Sequence, residues 1–286
     1  MQTPKRSVTY SNTMRTFFKT GTCSQTACHV INRGFEQSLI QKEQAAMPMA
    51  GGILQHGYQC GLLWGAALAA GARAYQLYGA GPEAETCAIL AAQQAAVTFR
   101  KSNRHNSINC NDLTHIDETS SAAKMIQYFI LKGGVVSCFH MSGRYVPRAY
   151  KAINESFIEH HVPVPPAPVS CTAALCKKAG ASEQQTVMAA GLAGGIGLCG
   201  GGCGALGAAI WLLALRTNTQ EQKMDFNSPQ AQHIINTFVN CTGAEFECSE
   251  IVGRKFTDIT DHAKYLREGG CSQLLNVLAD EQETIA

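Results

Sequence analysis

The chain has 286 residues, and its apolar share of 45% is that of a globular protein large enough for two domains with hydrophobic cores of their own. Its 23 Lys and Arg nearly balance its 21 Asp and Glu, and no long charged run occurs, which argues against binding to nucleic acid or to an anionic membrane. Residues 1–22 contain no apolar stretch of signal-peptide length, so we expect a cytoplasmic protein. In that reducing compartment, 13 cysteines favour metal binding or redox chemistry over permanent disulfides.

The sequence contains two copies of one cysteine-bearing module. The segment Ala50–Ile53 (AGGI) recurs as Ala193–Ile196, and other motifs recur at similar spacings. Between the copies, residues 161–170 include four prolines, which favour an extended connector without a helix of its own. We therefore predict a first domain over residues 1–160, a linker over residues 161–170 and a second domain over residues 171–286.

The signals for secondary structure are helical in both copies, and alternating β-branched runs are scarce. Four segments carry helix start or stop signals: residues 120–132, which end at Gly133–Gly134; a capping box at Ser182 and Gln185; Ser228–Pro229, which open a helix through about Val239 that Thr242–Gly243 close; and residues 258–268, which end at Gly269–Gly270. We predict an all-α protein of two homologous small helical bundles, related by a pseudo-two-fold axis as in a fused homodimer.

Residues 188–215 form a run without a single charge, and the run is long enough to cross a bilayer. The glycines between Gly194 and Gly204 would weaken one continuous helix, because glycine costs about 1 kcal/mol relative to alanine in a helix interior. The matching part of the first copy also carries His56 and Gln59. We therefore predict a helix, a glycine turn and a second helix that starts near Cys203, with a membrane span as the less favoured alternative.

A cysteine at a helix start has distinctive chemistry, because unpaired backbone N–H groups and the helix dipole stabilise its thiolate. We expect this setting for Cys60 and Cys203. Glycines beside such a cysteine allow the backbone to approach an inorganic group and to donate hydrogen bonds to its sulfurs. Gly202, Gly204 and Gly207 are therefore candidate cofactor-binding residues.

Four cysteines in each copy hold matching positions, and four thiolates are the set that a [2Fe–2S] cluster, a [4Fe–4S] cluster or a structural zinc requires. The alternative is that cysteine only fills small buried sites. The candidate ligands are Cys23, Cys60, Cys110 and Cys138 in the first copy and Cys171, Cys203, Cys248 and Cys271 in the second.

The remaining cysteines carry weaker signals. Cys28 and Cys176 match each other, but the pattern assigns them no role. The segment from Cys23 to His29 departs from the CxxCH spacing of haem attachment, so haem is not expected. Cys87, Cys199 and Cys241 have no counterpart and are interpreted as packing residues. His56 stands opposite Cys199 and is interpreted as an ordinary, partly buried histidine rather than a ligand.

The motifs resemble those of a family of redox-active proteins named for its signature, a cysteine followed by GCAxxG and two further cysteines. Gly202–Gly207 (GCGALG) resembles the central motif, and Cys171, Cys248 and Cys271 stand where the flanking cysteines belong. In the first copy Cys60 keeps its place, but Gln59 and Trp64 replace the two glycines. The resemblance implies redox chemistry with an iron–sulfur cluster or another thiolate-held metal.

The leading hypothesis is an electron carrier or redox partner rather than a stand-alone enzyme. Each of its cysteine tetrads would hold an iron–sulfur cluster, with zinc a less favoured metal, and it would act on a redox partner protein. One alternative is a metal-free thiol–disulfide protein, in which Cys203 is the reactive thiolate. Another is a membrane or scaffolding protein in which the glycine-rich helices serve only for packing. No hydrolase, kinase or dehydrogenase motif appears in its proper setting.

Overall fold

The computed structural model describes residues 8–102, 107–114, 134–159, 163–218, 224 and 226–284. These residues form α-helices joined by loops, and their only β-pairing is two isolated bridges. The helices of the first copy are α1 (Tyr10–Thr20), α2 (Cys23–Gly34), α3 (Ile40–Gln44), α4 (Gly61–Tyr78), α5 (Pro82–Ser102), α6 (Cys110–Thr114) and α7 (Gly134–Glu159). Those of the second copy are α8 (Cys171–Lys178), α9 (Glu183–Ala190), α10 (Gly204–Thr217), α11 (Pro229–Thr242), α12 (Cys248–Val252), α13 (Ile259–Arg267) and α14 (Ser272–Thr284).

The predicted helix ends of the second copy are confirmed, because their capping contacts form. The Ser182 hydroxyl accepts from the Gln185 N–H, and the Gln185 side chain accepts from the Ser182 N–H at 2.7 Å. The Ser228 hydroxyl accepts from the Ala231 N–H at 3.3 Å at the start of α11, and Gly243 ends that helix with a left-handed φ of 63°. The segment predicted over residues 258–268 forms α13. The helix predicted over residues 120–132 lies outside the described residues.

The uncharged run of residues 188–215 is interrupted, as its glycines predict. It contributes the end of α9, a loop over residues 191–203 and then α10, which begins directly after Cys203. Among the described residues, no helix has both the length and the apolar character needed to cross a bilayer.

The glycine-rich loop has an unusual backbone. Five consecutive residues, 51–55, have positive φ, and so do the matching residues 194–198 of the second copy. L-residues avoid this region because Cβ approaches the following carbonyl oxygen, whereas glycine enters it freely. The two copies also repeat a backbone hydrogen bond that closes the turn, from the Gly57 N–H to the Gly51 oxygen and from the Gly200 N–H to the Gly194 oxygen. The glycine content of this loop is therefore set by one left-handed turn.

In each copy, the element that precedes the glycine-rich loop packs against the other copy. In the second copy, α9 packs on α4 and α5 of the first copy, and the 3-10 turn Met47–Met49 of the first packs on α10. The Trp211 indole N–H donates to the Lys42 oxygen at 3.0 Å, and a Cβ on Gly71 would meet the Val187 oxygen at 2.4 Å. One continuous cluster of buried side chains runs through both copies. The two copies therefore share their main hydrophobic core.

Candidate functional site

The four candidate cysteines of the first copy line one cavity of about 200 Å³. Among the residues that the structure describes, those that line this cavity are apolar or uncharged. The lining residues are Phe17, Gly21, Thr22, Cys23, Ala50, Gly51, Gln55, Cys60, Cys110, Leu113, Thr114, Cys138, Phe139, Met141 and Phe226. Phe226 belongs to the second copy. The fold thus brings Cys23, Cys60, Cys110 and Cys138 together from four separate segments of the chain.

The four candidate cysteines of the second copy also line one cavity, but its volume is only about 20 Å³, which is close to the space that one water occupies. His262 and Tyr265, both on α13, line it together with the cysteines. The last cysteines differ in setting: Cys138 lies inside α7, whereas Cys271 precedes α14 with a left-handed φ of 59°. The two tetrads therefore have the same kind of donor atom, but their cavities differ in volume.

Each tetrad is assembled by a short antiparallel bridge. In the first copy the Cys60 N–H donates to the Ile108 oxygen at 2.8 Å, and the Cys110 N–H donates to the Tyr58 oxygen at 2.7 Å. The second copy repeats this pairing, with the Cys203 N–H on the Phe246 oxygen at 2.9 Å and the Cys248 N–H on the Gly201 oxygen at 2.7 Å. The bridge therefore sets the second and third cysteines of each tetrad side by side.

Most of these cysteines stand at helix starts, as the sequence predicts for two of them. Cys60 and Cys203 are the N-cap residues of α4 and α10, and Cys23 and Cys171 are the first residues of α2 and α8. Backbone N–H groups of the left-handed loops reach the first cysteine of each tetrad: that of Gly51 lies at the Cys23 sulfur and that of Gly194 at the Cys171 sulfur. The sulfurs are thus met by backbone donors.

Burial nevertheless has the largest effect on the pKa values of these thiols, and it raises them. It raises the pKa of Cys203 to about 11 and that of Cys110 to about 12, against the smaller lowering by helix-start N–H groups at Cys203. The pKa values of Cys60, Cys171 and Cys248 are raised as well, first by burial and then by neighbouring cysteines of the same tetrad. None of the described residues that line the two cavities has a cationic side chain. In the metal-free chain the thiols of these five cysteines are therefore protonated at neutral pH.

The tetrads are not arranged around one ion. Among the described residues, no group of three or more His, Cys, Asp or Glu side chains is placed to hold a single metal ion. The donor set of the first copy nevertheless fits an iron–sulfur group, because four thiols line one cavity and the Gly51 N–H lies at the Cys23 sulfur. The first cavity also has room for a group larger than one ion.

The three glycines predicted to bind a cofactor have different positions. Gly204 lines the second cavity, and a Cβ there would lie 2.1 Å from the Leu192 oxygen. Gly202 and Gly207 do not line it. A Cβ on Gly202 would meet the Phe246 ring of the same copy at 2.6 Å and the Gln59 side chain of the first copy at 3.0 Å, and a Cβ on Gly207 would meet the Trp64 ring at 2.4 Å. Gly207 therefore makes room for a side chain of the other copy.

The cysteines outside the tetrads line neither cavity. Cys28 and Cys176 are fully buried in α2 and α8, where the Asn32 amide lies 3.6 Å from the Cys28 sulfur. Cys87 and Cys199 are half-buried, and Cys241 is exposed. His56 bonds to Gln232 of the second copy at 3.2 Å.

His262 is a residue of the second cavity that the sequence analysis did not identify. It is 1% exposed, its Nδ1 lies 2.9 Å from the Val169 oxygen, and the Phe256 ring meets it edge-on. Because a carbonyl oxygen only accepts, Nδ1 carries the proton in the neutral ring. A histidine within a helix pattern gives no signal of this burial, since the cavity is closed by segments distant in sequence.

This histidine predicts an acid-sensitive fold. Burial lowers the pKa of His262 to about 4, whereas an unfolded histidine has a pKa of about 6.5. The unfolded chain therefore binds more protons between these values, and stability is lost as pH falls through that window. We expect a loss of about 3 kcal/mol between pH 7 and pH 4 from this group, measured by urea unfolding of iron-free protein. His262→Gln should flatten that part of the pH profile. Equal slopes in the wild type and in His262→Gln would contradict the assignment.

The sequence model of one protein family matches the chain twice, over residues 21–149 and residues 169–285, and its description reads "Putative redox-active protein (C_GCAxxG_C_C)". No curated protein and no solved structure matches the chain. The two matches include all eight cysteines of the tetrads and most of the sequence. The chain therefore belongs to the C_GCAxxG_C_C family of redox-active proteins, as a tandem duplicate of the family's module.

Proposed function

We propose that the protein transfers electrons and that Cys23, Cys60, Cys110 and Cys138 hold an iron–sulfur cluster. The observation that carries this proposal is the convergence of four thiols on one uncharged cavity of about 200 Å³. When bound, such a cluster accepts and releases single electrons. The cavity wall includes the apolar side chains of Phe17, Phe139 and Phe226, and backbone N–H groups donate to the Cys23 sulfur.

We extend the proposal to the second tetrad, because it repeats the four thiols, the antiparallel bridge and the backbone donors. Its cavity of about 20 Å³ has to widen on loading. The side chains of Phe256 and Tyr265 form part of the wall that would move. The first tetrad is therefore expected to load more readily.

Metal analysis of anaerobically reconstituted protein tests this proposal. The wild type should be coloured, with iron and acid-labile sulfide in equal amounts. Cys60→Ser and Cys203→Ser should each lose about half of the iron, because each removes one ligand of one tetrad. Cys241→Ser, at an exposed cysteine outside the tetrads, is the matched control and should keep full iron. Colourless, iron-free wild-type protein would refute the cluster, and full iron in both tetrad variants would refute the ligand assignment.

The metal-free thiol–disulfide function has less support. It needs a thiolate at Cys203, whereas burial raises the pKa of that thiol to about 11. At pH 7 only about one molecule in ten thousand would carry the thiolate.

Alkylation separates the two functions. In iron-free protein at pH 7, iodoacetamide should modify the exposed Cys241 at least about 100-fold faster than Cys203, because attack requires both access and the thiolate. Mass spectrometry of tryptic peptides over time measures both rates within one sample, so Cys241 is the internal control. Preferential modification of Cys203 would favour the thiol–disulfide function instead.

A further inference from the structure

A groove of about 290 Å³ lies between α1 and α2 and shares no lining residue with either tetrad cavity. Arg15 and Lys19 of α1 and Arg33 of α2 line it, so three cationic side chains meet in one small space. None of the described residues that line it is acidic. Its polar lining residues are Asn12, Arg15, Thr16, Lys19, His29 and Arg33.

The protein does not neutralise these charges itself. Arg15 and Lys19 are four residues apart on one face of α1, a spacing at which like charges repel. Within the described part of the chain, neither they nor Arg33 form an ion pair. The Nε atom of Arg33 is buried and has no hydrogen-bond partner among the same residues, which is unfavourable for an N–H donor. An anion in the groove would compensate both features.

A buried carboxylate fixes the orientation of His29 in this groove. The His29 Nδ1 lies 2.7 Å from the Glu43 carboxylate, which also accepts from the Asn32 amide at 3.1 Å and the Leu39 N–H at 3.2 Å. Burial raises the pKa of Glu43, but these hydrogen bonds, that of His29 first, outweigh burial and lower the pKa. An ionised carboxylate only accepts, so Nδ1 carries the proton and Nε2 is the ring nitrogen left for a ligand.

The groove is specific to the first copy. Lys177 of the second copy stands where His29 does in the first, and its Nζ lies 2.6 Å from the buried carboxylate of Glu85. That cation is therefore neutralised within the protein. The helix that carries Arg15 and Lys19 ends at Thr20, before the family match begins at residue 21. The groove thus forms where α1 is added to the repeated module.

We propose that this groove binds a small molecule through its phosphate monoester, with Arg15, Lys19 and Arg33 around the phosphate group. A guanidinium group can donate two parallel N–H bonds to phosphate, and the lysine ammonium adds a compact positive charge. The Thr16 hydroxyl and the His29 ring extend the donor set, which suits the several oxygens of a phosphate better than the two of a carboxylate. The site does not depend on a metal centre in either tetrad.

The size of the groove limits the rest of the ligand. Pockets for drug-sized molecules have volumes of about 300 to 1,000 Å³. At about 290 Å³, the groove is at the lower end of that range. The proposed ligand is therefore of the size of a sugar phosphate.

Isothermal titration calorimetry with ribose 5-phosphate, in phosphate-free buffer at constant ionic strength, tests this site. The wild type should bind one equivalent. Arg15→Gln and Arg33→Gln should each weaken binding at least about 10-fold, because each removes a charged donor to the phosphate. Inorganic phosphate should compete with ribose 5-phosphate, whereas acetate at the same concentration should not.

A matched pair of lysine variants separates a site from a general attraction of anions. Lys19 and Lys178 are both exposed and both stand in the last turn of a helix, but Lys178 does not line the groove. Lys19→Gln should weaken binding, and Lys178→Gln should bind like the wild type. Urea unfolding should give the same stability for Arg15→Gln as for the wild type, because Arg15 is exposed.

The outcomes that contradict the site are distinct. Wild-type protein that binds neither ribose 5-phosphate nor inorganic phosphate would overturn it, and so would equal weakening in the two lysine variants. Equal competition by acetate would overturn the choice of phosphate. Vesicles that contain phosphatidate provide the same monoester on a lipid. Cosedimentation of the wild type with them, lost in Arg15→Gln and without binding of ribose 5-phosphate, would overturn the small molecule in favour of a lipid headgroup.

Discussion

Gly195→Ala should destabilise the protein by about 3 kcal/mol or more, from the left-handed backbone and the steric clash together. Gly195 has a φ of 74°, and a Cβ there would lie 2.4 Å from both the nitrogen and the oxygen of Gly201. Neither atom can move away easily, because Gly201 accepts from the Cys248 N–H in the bridge of the second tetrad. The damage should therefore reach the cysteines as well as the fold.

Gly180→Ala is the matched control for this prediction. Gly180 also has a left-handed φ, 69°, but a Cβ there would have open space around it. Only the conformational cost should remain, about 1 kcal/mol. Urea unfolding of both variants measures the difference, and iron loading reports on the second tetrad. Equal losses of stability would show that the close approach to Gly201 is unimportant.

The double variant Trp64→Gly, Gly207→Trp should recover much of the stability that each single substitution loses. Trp64 is fully buried, so Trp64→Gly should cost about 4 kcal/mol through the cavity that it leaves. Gly207→Trp alone would place two indoles in the space of one and should cost a similar amount. In the double variant, the new indole at position 207 would fill the space vacated at position 64, and the Gly202 oxygen would accept its N–H as the Gln59 oxygen now does.

Chemical unfolding of the two single variants and the double variant measures this coupling. We expect the double variant to be more stable than either single variant, with an interaction free energy well above 1 kcal/mol. The result would show that the pseudo-two-fold axis relates the two positions closely. Simple addition of the two losses would contradict the proposed complementarity.

The sequence predicts much of this fold because helix ends depend on local chemistry. Ser182, Ser228 and the Gly269–Gly270 pair satisfy or redirect nearby backbone groups, so their effect is visible within a few residues. At the position of the left-handed turn, the sequence predicts only a turn rich in glycine. Ile53, Leu54 and Gln55 have positive φ although side chains disfavour it, and this is a result of the bonds that the whole loop makes.

The tetrads could be grouped from the repeat alone, since matched positions in two copies indicate matched roles. Their volumes could not be predicted, because Phe226 of the second copy lines the first cavity and α13 closes the second. The roles of Gln59 and Trp64 were also hidden. In the sequence they are only departures from a motif. Their contacts with Gly202 and Gly207 of the second copy become visible in the folded protein.

The exchange of α9 and the Met47–Met49 turn between the copies has a consequence for how the protein unfolds. If either copy opened alone, it would uncover α4 or α10 of its partner, both of which are largely apolar and buried. Partial unfolding would therefore expose hydrophobic surface in the half that remained folded. Two homologous modules joined by a linker usually melt separately, whereas we expect these two to unfold in one cooperative transition. Heat-induced opening of one cysteine tetrad would then be accompanied by opening of the other.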